Sequence, residues 1–156
     1  MSAATSFAAQ LGSSLKYIKA TVSTFDDDDA GFAPQPELYT VAGHIAHAAD
    51  SVEWFVEGAF GQGWNMDFEG LIAAARAVTT MDEAMAWLER AYATAIATIE
   101  NASDEDLFAR ISDERIMKGA PRVAIVGSIM DHTAHHRGAL TVYARLLGKE
   151  PRMPYS

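Results

Sequence analysis

The feature that most constrains the fold is one long helical pattern near the end of the chain, from about Pro121 to Leu147. Pro121 suits the first turn of a helix, and no stop signal follows until Gly148 and Pro151. At about 100° per residue, six residues of this helix lie on one stripe, within an arc of roughly 80° around the helix axis. The stripe contains Ile129, His132, His136, Leu140, Tyr143 and Leu147. A helix with such a stripe must pack against other elements.

Two histidines lie within this stripe. His132 and His136 are four residues apart and are therefore neighbours on one helix face. A single histidine there is most often a hydrogen-bonded core residue, but a pair is also typical of metal ligands, since neutral imidazole binds zinc, nickel and iron. Two ligands from one helix do not complete a site, so a third must come from elsewhere. His135 points about 100° away from His136, which excludes it as that ligand and leaves it as a candidate proton shuttle.

Three further long helices are predicted from the spacing of apolar residues, at about 3–23, 37–59 and 80–101. The aspartate run 26–29 lacks the ligand spacing of an EF-hand and is predicted to form a solvated loop. The glycine-rich stretch 58–63 ends the second helix and begins a crossover, in which 67–77 is predicted to form a short helix. We therefore predict an all-α four-helix bundle with a long crossover between the second and third helices.

The second long helix carries the remaining histidines, His44 and His47. Metal sites in bundles are built from facing helices, so this helix is the expected source of a third ligand. His44 lies near the middle of the apolar face, whereas His47 lies roughly 80° from that centre, near the polar side with Asp50, Glu53 and Glu57. Periodicity alone favours His44.

Composition and charge narrow the class of protein. The 156 residues, 49% of them hydrophobic, fit one domain over 1–156. The absence of cysteine excludes disulfides, thiolate ligands and a cysteine nucleophile. A net charge of -9 with only 12 Lys and Arg residues argues against nucleic-acid binding. No apolar run reaches the roughly 18 residues that span a bilayer, and Met1 to Gln10 lacks a signal-peptide pattern. We therefore expect a soluble, cytoplasmic protein without membrane contact.

Two motifs resemble those of a known family. Tyr39-Thr40-Val41, followed by His47-Ala48-Ala49-Asp50-Ser51, is similar to a W-T-V segment that leads into H-x-A-D-S. His132 and His136 with Arg137-Gly138 lie on a helix that ends in Leu146-Leu147-Gly148 and match the second motif. On these segments the chain resembles the DinB-like family, which includes the YfiT-type metal-dependent enzymes. Tyr39 stands where that family usually has tryptophan.

The resemblance implies a four-helix bundle that holds one divalent metal on three histidines. The metal would be zinc or nickel, with iron or manganese as alternatives. By matching positions, the ligands would be His47, His132 and His136, so the resemblance and the periodicity disagree over His44. We adopt His47, because a residue at the edge of the apolar face is better placed at the mouth of a cleft than a central one.

Two residues beside these histidines have competing interpretations. Asp50 follows His47 by one helical turn, where it could orient a ligand imidazole or hold a water molecule on the metal, or could be a surface carboxylate. Arg137 follows His136, where it could orient an anionic substrate or form a structural ion pair. Together with His135, these are the candidate catalytic residues.

Three histidines on a metal leave one position open, which is typical of catalytic sites. Such a metal can ionise a bound water or thiol near neutral pH, and several DinB-like proteins transfer a low-molecular-weight thiol such as bacillithiol or mycothiol. We therefore expect a metal-dependent thiol transferase that acts on a small molecule. The alternatives are a metal-dependent hydrolase and a non-catalytic metal-binding protein associated with stress. The alanine-rich face of the third long helix and the resemblance also favour a homodimer.

Overall fold

Six α-helices make up the computed structural model, which describes residues 2–155 and contains no β-strand within that range. They are α1 (Ala3–Val22), α2 (Val41–Phe60), α3 (Phe68–Ala77), α4 (Met81–Asn101), α5 (Asp104–Phe108) and α6 (Ile125–Leu146). The four long helices α1, α2, α4 and α6 pack on one another, and α3 lies on α2 within the crossover. The predicted all-α bundle and its long crossover are therefore confirmed. The terminal residues 1 and 156 of the predicted domain lie outside the described residues.

Side-chain caps set the first residues of the helices. Thr40 Oγ1 accepts a hydrogen bond from the backbone N–H of Gly43, so α2 begins at Val41 and not at residue 37 as the apolar pattern predicted. Thr80 caps α4 in the same way through the N–H of Glu83, as its sequence predicted. The last helix also begins later than expected, because Pro121 precedes a 3₁₀ turn at 122–124 and the α-helix starts at Ile125.

The core between the long helices is apolar and closed. Its largest fully buried side chains are Tyr92, Leu11, Ile18, Ile45, Leu88, Ile99, Leu107, Ile111, Ile125, Ile129, Leu140 and Val41. One polar bridge joins three of the helices: the Tyr92 hydroxyl on α4 lies 2.8 Å from both Ser14 Oγ on α1 and Thr133 Oγ1 on α6. Because Thr133 directly follows His132, this buried bridge fixes the rotation of α6 beside the histidines.

The crossover is held by a buried tryptophan. Trp64 is 3% exposed, and its indole N–H donates to the backbone carbonyl of Asp113 at 2.8 Å. Its ring lies against α2 at Gly58, where an added Cβ would come within 2.1 Å of the ring. Glycine is therefore required there for the close approach of crossover and helix.

The end of α6 and the aspartate run meet at one lysine. Gly148 has φ +74° and terminates the helix as its position predicted. The next residue, Lys149, pairs with Asp26 at 2.6 Å and also with Asp29. The predicted solvated loop is exposed at 26–28, whereas the Asp29 side chain, which faces Lys149, is only 12% exposed. None of the described helices combines the length and the apolar character that a membrane span requires.

Candidate metal centre

Helices α2 and α6 bring three histidines together. One ring nitrogen from each of His47, His132 and His136 lies within 4.8 Å of the others. The Nε2 atoms of His132 and His136 are 3.1 Å apart. Two nitrogens bound at 2.0–2.1 Å to a tetrahedral zinc would be about 3.3 Å apart. The pair is therefore spaced almost as a divalent metal requires, and the three imidazoles form a possible divalent metal site.

The protonation states of these rings suit a metal. Burial, reinforced by the neighbouring histidines, lowers the pKa of His47 to about 4 and that of His136 to about 2. Burial also lowers the pKa of His132. Metal ligation requires neutral imidazole. At neutral pH, the three rings are therefore uncharged and each has a lone pair available.

A chain of hydrogen bonds behind His136 fixes its tautomer. The carbonyl of Tyr39 can only accept, so the Tyr143 hydroxyl donates to it at 2.9 Å. Tyr143 has then used its single proton, and His44 Nε2, 3.2 Å from that hydroxyl, must be the donor in their contact. The pKa of His44 is lowered to about 4, chiefly by burial, so its ring is neutral and its Nδ1 is bare.

That bare nitrogen decides the state of His136. His44 Nδ1 lies 2.9 Å from His136 Nδ1 and accepts a hydrogen bond from the N–H of that nitrogen. The neutral ring of His136 therefore carries its lone pair on Nε2, which is the nitrogen directed at His132. His44 is buried, as periodicity predicted, but it lies behind the three-histidine cluster and supports it from there.

The ring of His47 is positioned by stacking. Tyr39 lies almost parallel to it, with ring centroids 4.9 Å apart and an interplanar angle of 18°. His47 Nδ1 is buried and has no hydrogen-bond partner among the described residues. An unsatisfied buried nitrogen of this kind is costly unless a ligand engages the ring. The Ser51 hydroxyl donates to the backbone carbonyl of His47 at 2.8 Å, so His132 Nε2, 3.0 Å away, is the donor in its contact with Ser51. A metal at His132 Nε2 would require that proton to move to Nδ1.

Asp50 occupies a different environment from the surface position considered for it. It was placed on the polar face of its helix, but it is only 7% exposed. The reason is that α2 packs against α3, α4 and α6, which cover Asp50 but leave Glu53 and Glu57 on the same face exposed. Burial and the nearby Glu53 carboxylate raise the pKa of Asp50 to about 6. The surface interpretation of Asp50 was wrong.

A cleft opens beside the three histidines, between α2, α3 and α6. Its volume is about 230 Å³. Its polar lining consists of His47, His132, Asp50 and Ser51, and its apolar lining consists of Trp54, Phe55, Phe68, Leu71 and Ile72. Two of the three clustered histidines thus face a space that a small molecule can enter.

The other two candidate residues lie away from this cleft. His135 is exposed and does not line the cleft, although its ring centroid lies 4.9 Å from that of His136 and 6.2 Å from that of His132. The Arg137 guanidinium lies 5.8 Å from the ring centroid of Tyr155 and donates to its hydroxyl at 3.4 Å. Arg137 lines a separate cleft with Ser14 and Tyr17. Neither residue contributes to the walls beside the histidine cluster.

Sequence reasoning missed two parts of the site. Tyr143 lies on the same predicted stripe as His132 and His136, and a hydroxyl beside imidazoles was a signal for a hydrogen-bond chain. Its bond to His44 joins residues far apart in sequence, so the pattern of one helix could not reveal it. The aromatic wall formed by Trp54 and Phe68 had no comparable signal, because it depends on how α3 lies on α2.

The chain resembles known proteins in sequence and in fold. A sequence model described as the DinB superfamily matches residues 10–140. No curated protein matches the chain. Among solved structures, one described as the crystal structure of the conserved protein of locus from Enterococcus faecalis has a TM-score of 0.65. That protein is 17% identical, and the match covers 93% of this chain and 96% of the other. At this identity the likeness shows a shared fold alone.

Proposed function

The chain belongs to the DinB superfamily, and on that basis we propose that it is a metal-dependent transferase which uses a low-molecular-weight thiol, with His47, His132 and His136 as the ligands of one divalent metal. The observation that carries the proposal is the cluster of three neutral imidazoles at one end of an accessible cleft. Three protein ligands leave a coordination position open for a small molecule. Zinc or nickel suits this set of nitrogen donors, with iron or manganese as alternatives.

The residues around the proposed metal would have different roles in the reaction. When bound, the metal would supply a Lewis acid that lowers the pKa of a thiol or water. His44 holds His136 in the tautomer with a free Nε2, and Tyr39 stacks on His47 and restricts its ring. The apolar wall that includes Trp54 and Phe68 would exclude water from the reacting groups. Because the chain contains no cysteine, the thiol would be an external substrate.

Hydrolysis is the second candidate. It is favoured by the Asp50 carboxyl, which lines the cleft and has its pKa raised to about 6 by burial and Glu53. A carboxylate with a pKa close to neutral can accept a proton from an attacking water molecule. The third alternative is a metal-binding protein without catalytic activity.

Metal analysis tests the ligand set. Protein stripped with a chelator and titrated with zinc or nickel should take up about one ion per chain, with a rise in melting temperature. His132→Ala and His136→Ala should each abolish stoichiometric uptake. His135→Ala is the matched control, because that exposed residue lies on the same helix outside the cluster and should bind as the wild type does. Wild-type protein that takes up no ion and gains no thermal stability would refute the site.

Turnover assays then separate the activities. The metal-loaded protein is incubated with small electrophiles in the presence and absence of bacillithiol, mycothiol or a simple analogue. Thiol-dependent product formation supports transfer, whereas product formed equally without thiol supports hydrolysis. Full metal loading without turnover in either assay would favour the non-catalytic alternative.

A further inference from the structure

Asp50 is a buried carboxyl without a partner. It is 7% exposed, and no hydrogen bond or ion pair among the described residues engages its side chain. Its carboxylate oxygens are not among the fully enclosed atoms that lack a hydrogen-bond partner, so they are open to the clefts that Asp50 lines, where a ligand can bind them. The pKa of Asp50 is raised because burial and the Glu53 carboxylate disfavour its charged form. The position of this side chain therefore points to something that binds against it.

Asp50 lies where two clefts meet. The first is the space of about 230 Å³ beside His47 and His132. The second, of about 420 Å³, lies further along α2 and extends to α4, where Ala91 and Thr94 form part of its wall. Asp50 and Trp54 on α2 and Leu71 on α3 line both clefts, so the two clefts are adjacent. A ligand at Asp50 can therefore reach the histidines at one end and open space at the other.

All the charged side chains that line the two clefts are acidic. Their linings include the carboxylates of Asp50, Glu53 and Glu57 and contain neither lysine nor arginine. The chain as a whole carries a net charge of -9. Apart from the charge of any metal on the histidines, these carboxylates would repel an anionic ligand, whereas a cation would be attracted into the clefts and stabilised at Asp50.

The walls favour an apolar body on that cation. Trp54, Phe55 and Phe68 contribute aromatic surface, and Leu71 and Ile72 complete the wall beside the histidines. Phe68 is 47% exposed and Ile72 is 41% exposed, so part of this surface lacks a covering group. A cavity of about 150 Å³ is enough to hold benzene. The cleft beside the histidines can therefore hold one ring or a short aliphatic chain, and an ammonium group near Trp54 would also gain from its π face.

We propose that this cleft binds a protonated amine carried on an aromatic or aliphatic body, with the ammonium group at Asp50 and the apolar body against Trp54, Phe68 and Leu71. The proposal of an amine-binding site depends only on Asp50 and the cleft walls. The further proposal that the amine is the second substrate beside the metal rests on the proposed function.

Calorimetry with three probes of similar shape tests the chemistry of the ligand. They are 2-phenylethylamine, 2-phenylethanol and 3-phenylpropanoate. At pH 7.5 the amine is cationic, since a primary alkylammonium titrates at roughly pH 10, the alcohol is neutral and the acid is anionic. The wild type should bind the amine about tenfold or more tightly than the alcohol, because a charge-assisted hydrogen bond replaces a neutral one. The acid should bind most weakly. Equal affinities for the three probes, or no binding of the amine at millimolar concentration, would overturn the proposal.

Variants assign the preference to Asp50. Asp50→Asn should abolish the preference for the amine and leave the affinity for the alcohol almost unchanged. Glu100→Gln is the matched control, since it removes the same charge from an exposed position on α4 outside both clefts and should keep the preference. Ile72→Lys, at a half-exposed wall position, gives a second route if Asp50→Asn does not fold, because its ammonium should displace the amine probe. Retained amine preference in both variants of the cleft would refute the assignment.

Binding is measured on metal-free and metal-loaded protein, so that the two proposals fail separately. Selective binding of the amine by a protein that takes up no metal would leave the amine site standing and remove the proposed function. Metal uptake and thiol transfer without any preference among the probes would leave the function standing and remove the amine site.

Discussion

At the scale of single residues, His44 and His47 lie one helical turn apart and have different surroundings. His47 belongs to the three-histidine cluster, while His44 is hydrogen-bonded to His136 and Tyr143. His44 is buried and His47 is partly exposed, but their pKa values do not separate them, since each is lowered to about 4, chiefly by burial. Only the direction of each ring relative to α6 distinguishes a proposed ligand from a residue that supports one.

The first prediction compares alanine at these two positions. His47→Ala removes a proposed ligand and should weaken metal affinity far more than His44→Ala, which should cost about 10- to 100-fold, as is usual when a group behind a ligand is lost. His44→Ala should also cost about 1–3 kcal/mol of stability through the cavity it leaves. Affinity is therefore measured by competition with a chelator, separately from melting temperature. A greater loss of affinity in His44→Ala than in His47→Ala would reverse the assignment.

The histidine pair on α6 shows how far sequence alone can reach. Two histidines at i and i+4 on an apolar stripe predicted that their rings would meet, and the structure brings their Nε2 atoms to 3.1 Å. The choice of His47 rested on resemblance, and its role as a ligand stays a prediction. Periodicity favoured His44 because it measures distance from the centre of the apolar face. It contains no information on which neighbouring helix a side chain faces.

The second prediction concerns the stability contribution of Asp50. Its pKa of about 6 lies above the ordinary 3.8, so the folded state binds more protons between these values. The contribution of the protonated Asp50 carboxyl to the free energy of unfolding is complete below pH 3.8 and is lost as the pH rises through 6. Asp50→Asn keeps the uncharged form at every pH, so it should be more stable than the wild type by about 1–3 kcal/mol above pH 7 and equal to it near pH 4.

This difference is measured by denaturant unfolding of the metal-free proteins, since acid protonation of the histidines affects both chains alike. Several titratable groups surround Asp50 and must be unchanged in the comparison. They are Tyr39 in the preceding loop, His47, Glu53 and Glu57 on α2 and His132 on α6, while α3 and α4 face it with Leu71, Ala91 and Thr94. A variant that is less stable than the wild type at pH 8 would mean that the carboxylate has a structural partner.

At the scale of helices, apolar spacing predicted which elements exist, and local hydrogen bonds decided where they begin. The short helix predicted at 67–77 is present as α3, with the Asp67 side chain accepting from the N–H of Gly70. The helix α5 was missed, because its five residues are too few to show a helical period. Prediction from sequence was therefore best for the long amphipathic helices and weakest in the connection after α4.

The third prediction tests the contact between α2 and the crossover. Gly58→Ala would force a Cβ to within 2.1 Å of the buried Trp64 ring and should destabilise the protein by about 1–3 kcal/mol. Gly127→Ala is the matched control, because that helical glycine has no atom within 4 Å of an added Cβ and should stabilise by about 0.5–1 kcal/mol. Thermal and denaturant unfolding measure both. Equal effects would show that Trp64 moves aside at little cost.

At the scale of the whole molecule, net charge and exposed apolar surface have opposite effects on the association of two chains. A net charge of -9 disfavours the approach of two copies. The outer face of α4 nevertheless offers the small exposed residues Ala86, Ala93 and Ala97, next to the partly buried Trp87. Small side chains allow two helices to approach closely. Association through this face would bury apolar surface and would strengthen as salt screens the net charge.

The last prediction is that the chain forms a homodimer through this face of α4. Light scattering at micromolar concentration should give the mass of two chains, with a larger dimer fraction at 0.5 M salt than at low salt. Ala93→Glu places a charge in the proposed interface and should yield a monomer, whereas Ala73→Glu adds the same charge to an exposed position on α3 and should leave the dimer intact. The mass of one chain across this range of concentration and salt would contradict the prediction. A dimer that persists in Ala93→Glu would place the interface on another face, because a buried unpaired carboxylate opposes association strongly.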